Sequence, residues 1–394
     1  AAINCTIVEN HAGDDGGGMF FGTAKNCIIY FNTAGGSGAD HDSTTVTYSC
    51  SRNTSPGSGN LGVNPQFVNR FGGDYRLSST SACINRGNNP DVMGSTDVAG
   101  NPRIIYDTVD MGALEFFGAV HYVSPSGSHT FPYLTWADAA NNIQAAVDAA
   151  PEGTTVLVND GVYATGGRAF NGFALPNRVA IEKALMVQSV NGPEATIIQG
   201  AGPIGPSAVR CVYLGDNAVL SGFTLTNGAA LATGIYFPDQ SAGGVYCESS
   251  AVVTNCTLTG NSGNSAGGAY QGTLNNCTLT GNWALAWGGG ARASTLNDCI
   301  LSQNYAELQG GGAFQGTLNR CTLTGNEAGN EGGGAIFAEL NHCILAGNST
   351  GLLGGGADSC TLNNCTLSLN WLTVIDGDGG GASRSTLNNC TVTG

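Results

Sequence analysis

Residues 274 to 295 read LNNCTLTGNWALAWGGGARAST, and residues 296 to 317 read LNDCILSQNYAELQGGGAFQGT. The second stretch restates the first, and the restatement sets the fold. Anchored on Cys256, Cys277, Cys299, Cys321, Cys343, Cys365 and Cys390, the phrase recurs at intervals of 21, 22, 22, 22, 22 and 25 residues. A period that short marks a solenoid. Two residues after each cysteine stands an aliphatic residue: Leu258, Leu279, Leu301, Leu323, Leu345, Leu367 or Val392. Cysteine and leucine thus share the inward face of a strand with period two, and the Thr and Ser between and beside them face water.

Five residues after the cysteine comes asparagine, at Asn261, Asn282, Asn304, Asn326, Asn348 and Asn370, and again at Asn10 after Cys5 and Asn32 after Cys27. Stacked coils would turn this column into an amide ladder, and asparagine also tolerates the left-handed corner such a coil needs. Glycine runs at 288–290, 310–312, 332–334, 354–356 and 379–381 each precede an alanine, which marks a bend and a narrow inward position. With no helical period inside the repeat, a coil of about 22 residues reads as a right-handed parallel β-helix rather than a leucine-rich repeat.

One segment breaks this pattern. WADAANNIQAAVDAA, residues 136 to 150, spaces its apolar residues as one face of a helix, with Thr135 as N-cap and Pro151 and Gly153 as the stop. An amphipathic helix upstream of a β-helix suits a lid over the open apolar end of the first coil. Behind it, strand-like runs at 154–158, 184–190, 195–200, 209–214 and 218–228 read as less regular early coils.

Of 394 residues only 10% are charged, and the formal net charge is −15. Lysine is confined to Lys25 and Lys183, and the arginines form no cluster, so no basic stripe exists for nucleic acid or anionic lipid. No run of 18 apolar residues is present, so no membrane span is expected. Seven of the fourteen cysteines belong to the inward column, where parallel Cβ vectors disfavour disulfide geometry and the thiols act as small hydrophobes. Cys50 and Cys83 lie outside it and are the expected disulfide, if there is one. Zinc sites want close cysteine pairs rather than one cysteine per coil, which argues against a metal column.

Residues 45 to 116, with TYSCS, GNLGVNPQFVN, GGDYRLSSTSACINRGNN and VDMGALEF, resemble the C-terminal region of bacterial right-handed β-helix repeat proteins of the choice-of-anchor Q type. Residues 121 to 200, with HYVSPSG, PYLTWADAANNIQAAVDAA, GVYATGGR and VNGPEATIIQG, resemble the N-terminal region of the same secreted, pectin-lyase-like proteins. The glycine–alanine coils resemble the GGAI and FxxN repeats of polymorphic outer-membrane proteins. The resemblance implies terminal coils over 1–39, a C-terminal-type cap over 40–118, an N-terminal-type cap with early coils over 119–243, and regular coils over 244–394. The two halves stand in reverse order, as in one period of a tandem array or in chains meeting end to end. Joined directly, Cys390 and the next Cys5 would be nine residues apart, short of one coil.

Chemistry is weakly signalled. Arg292, Arg320 and Arg384 occupy different columns, and Asp298, Glu307, Glu327, Glu331, Glu339 and Asp358 read as a solvated face. His11, His41, His121, His129 and His342 have no nucleophile at triad spacing. No cofactor is expected; Asp14–Asp15 and the stretch from Asp376 to Asp378 are the calcium alternatives, though neither completes a calcium loop. The expectation is a non-catalytic extracellular or cell-surface structural protein, stacking end to end as a stalk, filament or adhesin, with Thr and Ser rows open to glycans. The alternative is a carbohydrate-active or glycan-binding β-helix whose cleft lies between Arg168 and Gln240, near Tyr163, Phe170, Phe173, Tyr236 and Phe237.

Overall fold

The computed structural model describes residues 1–394 apart from 53–57, 79, 101–102, 105–107, 117–119, 171, 235 and 375–376, and apart from the side chains of residues 236 and 237. The chain forms two compact units, Ala1–Ala119 with Glu152–Thr154, and Val120–Pro151 with Thr155–Gly394.

The second unit is a parallel β-helix. An 18-stranded sheet, a 10-stranded sheet and a six-stranded sheet run along it, and successive coils pair residue for residue. Thr278, Leu279 and Thr280 stand over Ile300, Leu301 and Ser302, which stand over Thr322, Leu323 and Thr324. Every repeat of the sequence therefore lands one strand further along the same three sheets. The inward residues stack into one continuous core, with Leu258, Leu279, Leu301, Leu323, Leu345 and Leu367 fully buried and Cys256 through Cys365 nearly so.

Left-handed residues recur at four columns of each regular coil, among them the first glycine of each run and a second column at Ala293, Gln315, Phe337 and Ser359. Positive φ falls on the residue before each column cysteine (Asn255, Asn276, Asp298, Arg320, His342, Asn364, Asn389) and on the residue before each ladder asparagine (Gly260, Gly281, Gln303, Gly325, Gly347, Leu369). The ladder asparagines themselves are not left-handed. Their column is selected by hydrogen bonding alone, and the corner falls one residue earlier. The glycine runs answer to packing: a Cβ on Gly289 would stand 2.4 Å from the Tyr305 carbonyl oxygen and 2.5 Å from that of Gly311.

The expected helix over 136–150 is shorter. Helix α1 spans Ile143–Ala149, with Asn142 as N-cap accepting from the Ala145 N–H. Residues 136–140 do not join it because their backbone is used elsewhere: Ala140 N–H donates to Tyr122 and its carbonyl accepts from Ser124. Thr135 and Asp138 still cap each other, but around a turn. Ile143, Ala146 and Val147 of α1 are buried in the core of the first coils.

The first unit contains coils of the same kind. Ala2–Ile3, Met19–Lys25 and His41–Thr47 form one parallel stack, and Thr6–Val8, Ile28–Tyr30 and Cys50–Ser51 another. Coil pairing thus runs on to Ser51 rather than stopping at residue 39. The irregular remainder carries one antiparallel pair, Phe67–Asn69 with Asp74–Leu77, and packs Leu77, Cys83 and Met111 against Ile28, Tyr30 and Cys50. Among the described residues no helix is long and apolar enough to cross a membrane.

Candidate functional site

In the second unit each ladder asparagine donates both its backbone N–H and its Nδ2 to the Oδ1 of the next. For Asn304 and Asn326 these distances are 3.0 and 2.9 Å, and Asn304 Nδ2 also donates to the Leu279 carbonyl at 2.9 Å. Asn261, Asn282, Asn304, Asn326 and Asn348 repeat this arrangement, and Asn370 keeps the bond to the carbonyl of Leu345. All six are buried. In the first unit Asn10 donates in the same way to Asn32. The six buried side-chain amides of the second unit all have partners along the row, the condition under which buried polar groups cost little.

A second ladder went unread in the sequence. Asn297, Asn319, Asn341, Asn363 and Asn388 each donate Nδ2 to the Oδ1 of the asparagine one coil earlier, from Asn275 onward, at 2.8 to 3.0 Å. Its polarity opposes that of the buried ladder. The signal was present as the residue two places before each cysteine, an outward column that looked like any polar strand position.

The column cysteines are free thiols. Each Sγ donates to the carbonyl two residues back, as Cys321 does to Asn319 at 3.4 Å, and Cys321, Cys343 and Cys365 donate their N–H groups to the Sγ of the next coil. The Cys321 thiol one coil back, together with burial, pushes Cys343 up to about 12. Cys390 is half-buried at the last strand. Cys50 and Cys83 are also free thiols here, and Cys50 Sγ donates to the Val63 carbonyl at 3.0 Å.

The charged residues are less scattered than their sequence positions suggested. Arg320 forms a two-pronged pair with Asp298 one coil away, at 2.7 Å on each prong. Arg384 bridges Glu331 at 3.0 Å and Asp358 at 2.5 Å. Asp358, expected on a solvated face, is fully buried, because its outward column is roofed. That column runs Tyr213, Tyr246, Tyr270, Arg292, Phe314, Ile336, Asp358 in unbroken register. The stretches around Trp287, Gln309, Glu331 and Leu353 bridge one another alongside it. Phe170 stacks on Tyr213 at 4.0 Å, and Arg292 lies over Trp287 at 4.8 Å and Phe314 at 5.2 Å.

In the region expected to hold a cleft, Tyr163, Phe170 and Phe173 are packed rather than open. Tyr163 is buried, with its hydroxyl on the Asn159 carbonyl, and Phe170 and Phe173 pack against each other at 6.2 Å. The side chains of Tyr236 and Phe237 lie outside the described residues. What remains is a hollow of about 240 Å³ lined by Asn142, Gln144, Tyr163, Arg168 and Arg178. Its arginines are engaged: Arg168 with Asp148 and Glu182, Arg178 with the carbonyls of Gly166 and Gln199.

A second hollow, about 450 Å³ and open to solvent, is lined by Gly316, Thr317, Phe337, Ala338, Glu339, Ser359 and Thr361. Phe337 stands 47% exposed above it, edge-on to Phe314. The hollow sets one exposed ring beside three hydroxyls and one carboxylate.

His121 Nδ1 faces the Pro132 carbonyl, His11 Nδ1 lies 2.9 Å from the exposed Thr33 hydroxyl, and His129 Nδ1 accepts from the Asn141 N–H. No group of three or more His, Cys, Asp or Glu is placed to hold a metal ion among the described residues. Asp15 accepts from the N–H and hydroxyl of Ser37, which holds its carboxyl below the usual range, and Asp376 lies outside the described residues.

No protein-family model matches the chain, and no curated protein does. Solved structures are similar in fold. The pectate lyase Pel9A shares 14% identity over 69% of this chain and 78% of its own, with a TM-score of 0.44. Rice weevil pectin methyl esterase shares 12% over 65% of this chain and 87% of its own, TM-score 0.32. A rhamnogalacturonan lyase shares 12% over 65% and 74%, TM-score 0.36. The strand register carries the fold assignment by itself: the chain is a parallel β-helix.

Proposed function

We propose that this chain is a non-catalytic structural protein of the cell exterior, whose coils form rigid segments that associate end to end as a stalk or filament. The observation that carries this reading is the outer face of the ten-stranded sheet. Two columns run along it in register: Thr224, Thr257, Thr278, Ile300, Thr322, Ile344, Thr366, Thr391, and Thr226, Thr259, Thr280, Ser302, Thr324, Ala346, Ser368, Thr393. Neither column contains a charge, so the face offers no acid, base or ion for chemistry. The repetition is invested in core and ladders, which supports a stiff element rather than a pocket. Electron microscopy of the native protein at neutral pH tests the reading. Uniform filaments with an axial repeat support it; isolated short particles at all concentrations remove the association.

A second reading, a glycan-binding or carbohydrate-active β-helix, is favoured by exposed Phe337 beside Glu339, Thr317 and Thr361. An aromatic face flanked by hydroxyls suits a sugar ring. Pectin and rhamnogalacturonan, named for the structural neighbours, are natural first probes, with F337A as the control. Retention of the wild-type chain on a polysaccharide column, lost in F337A, supports this reading; equal flow-through of both removes it.

A further inference from the structure

Cys50 and Cys83 differ from the other thiols of the chain. The column cysteines project from adjacent, in-register parallel strands, as Cys299 and Cys321 do around paired Leu301 and Leu323, and parallel Cβ vectors cannot reach the perpendicular disulfide torsion. Cys50 instead leaves a strand, Cys50–Ser51, while Cys83 sits in a turn whose N–H is held by the Ser81 hydroxyl. Both are completely buried in one apolar cluster with Ile28, Tyr30, Leu77 and Met111. The stretch between them holds the antiparallel pair and meets the coils through Leu61 on Ser49, Ser58 on Tyr48 and Arg52 on Asp40.

We propose that Cys50 and Cys83 are an oxidisable pair that a small disulfide, of the glutathione type, converts to a disulfide while the first unit folds, clamping residues 51 to 82 onto its coils. Either thiol can attack first, and Cys83, which lies in a turn rather than on a strand, serves as the attacking one. Its sulfur attacks one sulfur of the small disulfide and expels the other half as thiolate. Cys50 then loses its proton to solvent and displaces the bound half. The balance is two protein thiols oxidised to one disulfide and one small disulfide reduced to two thiols. Folding then buries the product, which protects it from reduction.

The full chain is unfolded, refolded either in a glutathione redox buffer or in excess reductant, then denatured, alkylated and digested for mass spectrometry. The expected result after oxidising refolding is one bridged peptide pair holding Cys50 and Cys83, with the other cysteines alkylated; after reducing refolding all fourteen are alkylated. Cys83→Ser should abolish the bridge and leave Cys50 alkylated. Should that variant not fold, protease cleavage within 51–82 is compared in the two wild-type samples, and a slowing of tenfold or more in the oxidised one is expected. Alkylation of both cysteines after oxidising refolding, or a bridge between two column cysteines in their place, overturns the proposal.

Discussion

Asp40 ends the asparagine ladder of the first unit by accepting what Asn32 has to donate. Its Oδ1 lies 3.0 Å from the Asn32 N–H and 3.4 Å from Asn32 Nδ2, and Arg52 grips both carboxylate oxygens at 2.8 and 2.9 Å. A carboxylate replaces the next asparagine because no further coil carries one there, and Arg52 compensates its charge in a site where Asp40 is wholly buried.

Asp40→Ala should therefore destabilise the first unit by about 3 kcal/mol, since it leaves the buried Asn32 N–H without an acceptor and the Arg52 guanidinium without its carboxylate. Asp40→Asn keeps the acceptor and should cost about 1 kcal/mol. Hydrogen exchange at the Asn32 amide reads the effect locally, and equal protection in wild type and Asp40→Ala would count against a ladder terminus here.

Gly289 and Gly281 separate packing from backbone conformation. Gly289→Ala would place a Cβ against two carbonyl oxygens in neighbouring coils, with no flexible atom to yield, and should cost about 3 kcal/mol or more. Gly281 has φ of +61° but open space around its Cβ position, so Gly281→Ala should cost only the left-handed penalty, about 1 kcal/mol. Thermal melts of the two variants check the order; a larger loss at Gly281 would show that conformation, not coil spacing, selects the glycine runs.

The first unit should lose stability as pH rises. Asp110 and Glu115 are buried together, with Asp97 and Arg103 facing them. Burial pushes Glu115 up to about 9, helped by the Asp110 charge, and pushes Asp110 up to about 6 against the N–H groups of Asn85 and Phe116. Both carboxyls hold protons more tightly folded than unfolded. Their stabilisation is whole below about pH 4, where the unfolded groups are also protonated, and is lost as pH rises through about 6 and then about 9. Denaturant midpoints of wild type from pH 5 to 9 should fall, and Glu115→Gln should flatten the upper part of that slope. A midpoint that rises with pH would refute the assignment.

Arg210 holds the loop over the Tyr246 column. Fully buried, it donates to the carbonyls of Ala242, Pro238 and Ser241 and to Asn177 Oδ1, and burial lowers it to about 10, still charged at neutral pH. Arg210→Met keeps the bulk but orphans these acceptors, at a cost of about 3 kcal/mol. The Leu231 amide, which donates to the Asp239 carbonyl, should then exchange faster by tenfold or more. Unchanged exchange would mean the loop is held by apolar contacts alone.

The repeat period, the inward cysteine and leucine columns and the positions of the buried asparagines are legible in sequence because each is a local environment copied once per coil. Copying turns one weak preference into a column, and parallel in-register pairing then fixes its neighbours. Which way an amide ladder donates is not in the pattern, since both polarities use the same residue; the Asn304 row runs forward and the Asn297 row backward. Nor could a solvent-facing column be told from a roofed one. Tyr246, Arg292 and Asp358 alternate with inward residues as surface positions would, and only the segments packed over them, the Arg210-held loop at Tyr246 and the bridged stretch from Trp287 to Leu353 further on, cover that column. The helix was overextended for the same reason: 136 to 140 carry helical spacing, but pairing with Tyr122 and Ser124 claims their backbone. Sequence alone determined the coil; contacts between segments far apart in the chain decided what each coil buries.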